Sequence, residues 1–206
     1  MTFEILRPVP IAPLTVSARV VRPGRSVELI EGLLAHDDTE IIRARAWRIR
    51  TEAVEWDGPR PADPPPPGPD SAEPRDFFPT GHERGYHSAM EVRFVSGAYL
   101  EQGPARAWMR QRVALVEGEE PSPLDRTLVA ADSGNGVSAP LDYRRFVFIN
   151  TDLSVALRRL PEGEWVCLDA TTHVEPDGVG LTDTELYDER GPVGRATQSL
   201  LVSARR

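Results

Sequence analysis

The sequence contains no lysine: all 24 basic residues are arginines, which excludes chemistry through a lysine Schiff base. Cysteine is nearly absent as well. Cys167 stands alone, so no internal disulfide can form, and a reducing cytoplasm is the expected compartment. No apolar run approaches the ~20 residues of a membrane span. Met1-Thr-Phe-Glu-Ile-Leu-Arg7 lacks the basic start and apolar core of a secretory signal, so no membrane partner is expected. The net charge of −8 leaves too little positive surface for phosphate contacts, which argues against a nucleic-acid partner. There is no Gly-x-Ser-x-Gly elbow for a serine hydrolase. His36, His82, His87 and His173 show no metal-ligand spacing. Gly134-Asn-Gly136 lacks both the third glycine and the preceding strand of a dinucleotide fingerprint.

What is present is the composition of a soluble globular protein, 40% apolar and 27% charged over 206 residues, enough for one large domain or two small ones. Leu14-Thr-Val-Ser-Ala-Arg-Val-Val21, Ser26 to Leu34 and Glu40 to Arg50 each alternate apolar and polar residues. Pro23-Gly24 and His36 to Thr39 separate them, and the pattern predicts an antiparallel meander. Residues 57–79 are proline-rich and read as a linker in extended polyproline conformation. The division expected is therefore 1–56, the linker, and 80–206. In the second part, strands are expected over Ser88–Ser96, Ala105–Leu115, Phe146–Leu157, Glu164–Val174, Gly180–Asp188 and Gly194–Ser203.

One segment departs from this strand pattern. Leu124, Leu128, Val129 and Ala131 fall close to helical spacing. Ser122, Pro123 and Asp125 supply a start signal, and Gly134-Asn135-Gly136 reads as the stop. Asp132 sits on the last turn of this apolar helix, where a buried carboxylate needs either partners or a chemical task. The bland reading is a carboxylate that caps amides of the following loop. Asp132-Ser-Gly also matches the short aspartic-protease motif, but that chemistry needs two such carboxylates sharing a proton, and one copy is present.

The two parts also resemble each other. Leu14-Thr-Val with Arg22-Pro-Gly parallels Leu153-Ser-Val with Leu160-Pro-Glu, and Thr39 to Ala46 parallels Arg190 to Thr197. Far fewer residues precede Leu14 than separate Tyr86 from Leu153. The first copy is therefore expected to lack its own helix and leading strand, as if short at its N-terminus.

Strand, helix and then a meander of long strands is the order of a hotdog domain. Met90-Glu-Val-Arg-Phe94, Leu128 to Gly136, Phe148-Ile-Asn150, Glu164 to Ala170 and Tyr187-Asp-Glu-Arg-Gly-Pro192 resemble the C-terminal half of the double-hotdog acyl-CoA thioesterase II family. The first 50 residues are similar to the late strands of that family's N-terminal hotdog. The resemblance implies an α+β double hotdog, complete over 80–206 and incomplete over 1–56. It implies hydrolysis of an acyl-CoA substrate, with no metal or redox cofactor since CoA arrives with the substrate. A homo-oligomer is expected too, because a hotdog without its helix exposes apolar sheet.

Members of the family hold one water between an Asp, a Thr or Ser, and a Gln. By position these fall on Asp132, Asn150 and Gln198. Asn150 departs from the family hydroxyl. A carboxylate at Asp132 accepts a proton from attacking water, and the amides of Gln198 and Asn150 orient that water or donate to an oxyanion. For Gln198 the plain alternative is an outward polar strand residue, and for Asn150 a turn or strand-end role. The rival function is a catalytically degenerate hotdog that binds acyl chains or partners without hydrolysis. Cys167, Trp108, Met109 and Trp165 read as core. Arg106, Arg110 and Arg112 read as a solvated face, with CoA phosphates as the other assignment.

Overall fold

A computed structural model describes residues 1–55, 57–58, 65–75 and 80–205. Residues 59–64 and 76–79 of the expected linker lie outside the described residues. The chain divides into two compact units, Met1–Ala62 with Thr151–Ser154, and Asp63–Asn150 with Val155–Arg206.

The first unit is built from β1 (Thr2–Ile5), β2 (Thr15–Arg22), β3 (Val27–His36) and β4 (Thr39–Ile49). The antiparallel order is β2-β3-β4-β1. Residues 152–154 pair along the far side of β1. The register aligns side chains across the sheet. Val16, Leu34, Ile42 and Ile5 align on one face, while Arg19, Glu31 and Arg45 align on the other, as a period of two requires. Glu31 is buried between the two arginines, which bond its separate carboxylate oxygens. Their hydrogen bonds hold its pKa below the usual carboxylate range. Among the described residues this unit contains no helix. The short β1 was not foreseen, because four residues next to a proline-rich loop carry too little alternation to register.

The second unit opens with a 3-10 turn (Pro69–Ser71) and β5 (Glu73–Pro74), followed by α1 (Tyr86–Ala89), β6 (Met90–Ser96) and β7 (Ala105–Gln111). Next come α2 (Pro123–Ala131), α3 (Gly134–Val137) and β8 (Phe146–Asn150). It closes with the end of β9 (Asp152–Leu157), β10 (Trp165–Val174), β11 (Val179–Asp188) and β12 (Gly191–Ala204). The sheet is antiparallel throughout, in the order β5-β6-β7-β10-β11-β12, with β8 on the other side of β12. The expected single strand Phe146–Leu157 is broken at Thr151 into β8 and β9.

Two layers of core lie on the two faces of this sheet. On the face that carries α2 and α3, Met109, Leu168, Leu186 and Val137 are fully buried, each worth roughly 1.5–3 kcal/mol. Across that face the register lines up Ala105, Ala170, Thr184 and Ala196, a row of small residues that lets a helix approach closely. On the opposite face Trp108, Trp165, Cys167, Tyr187 and Ala72 form a second cluster. Trp108 Nε1 donates to the carbonyl of Pro67 over 2.7 Å, so residues from 65 to 75 cover this cluster. Pro74 pairs at the sheet edge, where the missing N–H of proline costs nothing. Burial pushes the Cys167 thiol well above its ordinary pKa, which leaves it unreactive.

The sheet wrapped around α2 and α3 is the hotdog arrangement the sequence implied. The start of α2 also follows the sequence signal. Ser122 Oγ accepts from Asp125 N–H at 3.2 Å, and Asp125 Oδ2 accepts from Ser122 N–H at 2.9 Å, a reciprocal cap. The end differs. Asp132 and Ser133 remain in right-handed conformation and Gly134–Val137 forms a second helical segment. The glycines do not break the helix by positive φ, because neither Gly134 nor Gly136 adopts one.

Candidate active site

Asp132 follows directly on α2, its backbone still in the right-handed region. Two strands bring partners to it. Asn150 ends β8 and pairs with Leu200 of β12. Gln198 lies two residues from Leu200 on the same strand, so a period of two places Gln198 and Asn150 on one face. Asn150 Nδ2 donates to Asp132 Oδ1 over 2.8 Å. Gln198 Nε2 donates to the Asp132 carbonyl at 3.1 Å, with a longer contact of 3.4 Å to the same Oδ1. Asn135 N–H donates to Gln198 Oε1 at 3.1 Å, which fixes the sense of the amide: its oxygen faces α3 and its nitrogen faces the acid. All three residues expected at the site therefore meet there.

The arrangement assigns them different exposures. Gln198 is only 1% exposed, and both ends of its amide are held by protein groups, so it grips the acid from inside. Asn150 is partly exposed and Asp132 keeps an exposed surface. Among the described residues no donor reaches Asp132 Oδ2 and no partner engages Asn150 Oδ1. The acid is thus fastened through one oxygen and open through the other. Although its surface is reachable by water, the protein packed around it penalises the charged form. That desolvation raises the carboxyl pKa, and the hydrogen bonds from Asn150 and Gln198 pull it back only in part. A carboxylate at the C-terminal end of a helix also meets the negative end of the helix dipole.

Several supporting residues carried no sequence signal. Gly134 allows α3 to rest on the sheet. A Cβ there would lie 2.5 Å from Thr184 Oγ1 and 3.0 Å from Gln198 Oε1. The distinction between a glycine that ends a helix and one that permits close approach depends on its tertiary neighbours, which spacing does not encode. Tyr86 of α1 places its hydroxyl 2.7 Å from Ser133 Oγ and donates to Val129 O over 3.1 Å, bracing the turn that carries Asp132. Burial pushes the pKa of Tyr86 up to about 12, so it remains a protonated donor. Behind Gln198, the hydroxyls of Ser138, Thr172 and Thr182 form a buried chain with successive spacings of 2.7 Å. Thr182 pairs with Gln198 across β11 and β12, so the polar interior under α3 is satisfied rather than left orphaned.

Among the described residues no group of three His, Cys, Asp or Glu side chains is arranged to hold a metal ion, and no helix is long and apolar enough to cross a membrane. An Asp and two carboxamides around an open position can hold and polarise a water molecule. Neither carboxamide is a nucleophile, so the one side chain here able to attack a carbonyl directly is the Asp132 carboxylate.

Comparison with known proteins bears on this geometry. No curated protein matches the chain. Among solved structures, a conserved protein with a hot dog fold from Alicyclobacillus acidocaldarius superposes with a TM-score of 0.74 at 16% identity, over 100% of this chain and 78% of that one. A candidate thioesterase II from Thermobifida fusca YX gives 0.73 at 18% identity, covering 98% and 77%. The acyl-CoA thioesterase II TesB2 from Mycobacterium marinum gives 0.65 at 17%, covering 99% and 79%. At these identities the likeness shows the hotdog fold. The family models go further: residues 1–49 match the acyl-CoA thioesterase N-terminal domain and residues 44–202 match the acyl-CoA thioesterase C-terminal domain. The chain therefore belongs to the acyl-CoA thioesterase family.

Proposed function

We propose that the protein hydrolyses acyl-CoA thioesters by direct attack of water, with Asp132 as the base. The observation that carries this reading is the asymmetry of the carboxylate: Oδ1 is held by Asn150 and Gln198, while Oδ2 is open among the described residues. A water that donates to Oδ2 and to the open Oδ1 of Asn150 would turn a lone pair outward, toward a thioester carbonyl. As its oxygen bonds to the carbonyl carbon, one proton passes to Asp132. Collapse of the tetrahedral intermediate breaks the C–S bond, and the proton leaves with the CoA thiol. The products are a carboxylic acid and free CoA. Asn150 would touch the water. Gln198, buried and bonded to the acid, is a positioning residue.

The test is release of free thiol from acyl-CoAs of several chain lengths by the wild type and by Asp132→Ala. Hydrolysis that falls by roughly a hundredfold or more in the variant supports the reading. Activity that survives the substitution removes Asp132 from the mechanism. A wild type that binds acyl-CoA but hydrolyses none of the series is instead a binding protein, with the carboxamide at Asn150, where the resemblance implies a hydroxyl, as the departure to examine.

A further inference from the structure

A concave feature adjoins α1. His87, Met90, Arg93 and Arg112 line it together with Ala72, Pro74 and Arg75, around an open cleft of about 510 Å³. Its charges are not equivalent. Glu91 is largely buried and saturated: Arg93 bonds its Oε1 and Arg110 bonds its Oε2. Those two guanidiniums also stack on the ring of Trp165, each 4.8 Å from its centroid. This Arg-Trp-Arg-Glu group is a structural unit whose second positive charge is met by Asp70 beside Arg93 and Glu164 beside Arg110, and its Glu91 and Arg93 line the cleft.

Two arginines remain toward the mouth. Arg112 is 54% exposed, and its nearest carboxylate is the already saturated Glu91 at 3.8 Å. Arg75 is 49% exposed, and among the described residues it meets only Glu73, itself 71% exposed, so solvent screens that pair. A protein with a net charge of −8 thus presents two guanidiniums with weak local partners, beside His87, in one cleft. Guanidinium forks match phosphate oxygens.

The position of the cleft ties it to the proposed site. Tyr86 and His87 are consecutive on a four-residue helix, about 6 Å long. Tyr86 reaches Ser133, the neighbour of Asp132, while His87 lines the cleft. Resting on the thioesterase reading, we infer that this cleft receives the nucleotide phosphates of CoA, with Arg75 and Arg112 as their ligands, while the thioester reaches Asp132 past α1.

The experiment compares acyl-CoA with the acyl-N-acetylcysteamine thioester, which has the same reacting bond and no nucleotide. In Arg75→Ala/Arg112→Ala, KM for acyl-CoA should rise roughly tenfold or more, with kcat preserved and the truncated substrate unaffected. The control Arg195→Ala removes an equally exposed arginine paired with Asp183 elsewhere, and should leave both substrates unchanged. Equal effects on both substrates, or none on acyl-CoA, would overturn the assignment. Calorimetric titration with adenosine 3′,5′-bisphosphate separates this inference from the hydrolytic reading, since it needs no turnover. Binding by the wild type that is lost in the double variant supports the site even in a protein that hydrolyses nothing. No binding at millimolar ligand, or binding no tighter than that of inorganic phosphate, refutes a nucleotide site whatever the turnover.

Discussion

Replacing Gly134 by alanine should separate stability from function in a way that tests the site's construction. In an exposed helix, Gly→Ala stabilises by about 1 kcal/mol. Here the new Cβ would lie 2.5 Å from Thr184 Oγ1, 3.0 Å from Gln198 Oε1 and 3.2 Å from Thr182 Cγ2. Such overpacking costs roughly 1–3 kcal/mol, so the net change should run from near zero to about 2 kcal/mol destabilising. A chain of this size would lose roughly 2–4 °C in Tm per kcal/mol. Thr184 is 1% exposed on a central strand and, being β-branched, is stiff at χ1. Gln198 is the longer and softer neighbour, so it should yield first. Its movement would break the bond from Asn135 N–H and swing Nε2 away from Asp132. Turnover should then fall by roughly ten- to a hundredfold, the scale on which misplaced catalytic groups act. The assays are thermal melts and thiol release from acyl-CoA. Removing Thr184 Oγ1 in Gly134→Ala/Thr184→Ala should recover part of both losses, a coupling of roughly 0.5–3 kcal/mol in the cycle. A Gly134→Ala protein that melts at or above the wild-type temperature with unchanged turnover would refute the close-approach argument.

The pH profile offers a second test. Because burial raises the Asp132 carboxyl pKa, the acid limb of kcat/KM should lie above the usual aspartate range, with activity rising as pH climbs through it. Gln198→Ala removes a donor that favours the charged form, so the limb should move to still higher pH; an unmoved limb would deny Gln198 its positioning role. A raised folded pKa gives stability that is present below the unfolded value and lost as pH rises through the folded one. Asp132→Asn should therefore melt higher than wild type near neutral pH while losing activity. Asn150→Thr, which restores a hydroxyl, should raise turnover, and no gain would count against the departure at this position. Asp188 is 1% exposed. Burial pushes its pKa up, but the Arg159 fork and the N–H groups of Glu162 and Arg190 outweigh that and hold it below the usual range. Asp188→Ala should cost roughly 3 kcal/mol near neutral pH. Denaturant titrations should show this difference shrinking only as pH falls through the depressed pKa.

Local rules were enough for much of this architecture. The start of α2 is written in Ser122, Pro123 and Asp125, whose side chains act within one turn of the chain. The strands of the first unit follow from alternation that a two-residue period turns into two faces. Asp132, Asn150 and Gln198 could be named because family resemblance supplied what spacing lacks, namely the pairing of β8 with β12 that brings residues 18 and 66 positions from Asp132 to one carboxylate. What stayed hidden depends on partners distant in sequence. Gly134 looked like a stop until Thr184 was seen beneath it. Pro67 gave no sign of accepting the Trp108 N–H, 41 residues away. Tyr86 carried no motif, and its role exists only because Ser133 turns toward it.

The chemistry of the site turns on what its hydrogen-bond donors are. A hydroxyl beside an acid can both give and take a proton, whereas a carboxamide gives hydrogen bonds without titrating. With Asn150 and Gln198 both on Oδ1, neither neighbour of Asp132 can relay the proton that the acid accepts. On the proposed reading, that proton enters and leaves through Oδ2, and the side of Asp132 left open to solvent becomes part of the catalytic cycle. The same openness limits how far burial can raise the pKa, since water that reaches Oδ2 also solvates the charge. Stronger basicity and freer proton exchange therefore pull in opposite directions at one oxygen. A substitution that crowds this side should raise the pKa yet slow passage of the proton from Asp132 to the departing CoA sulfur. The two effects appear separately, the first in the acid limb of the pH profile and the second as a solvent isotope effect on kcat that grows with the crowding.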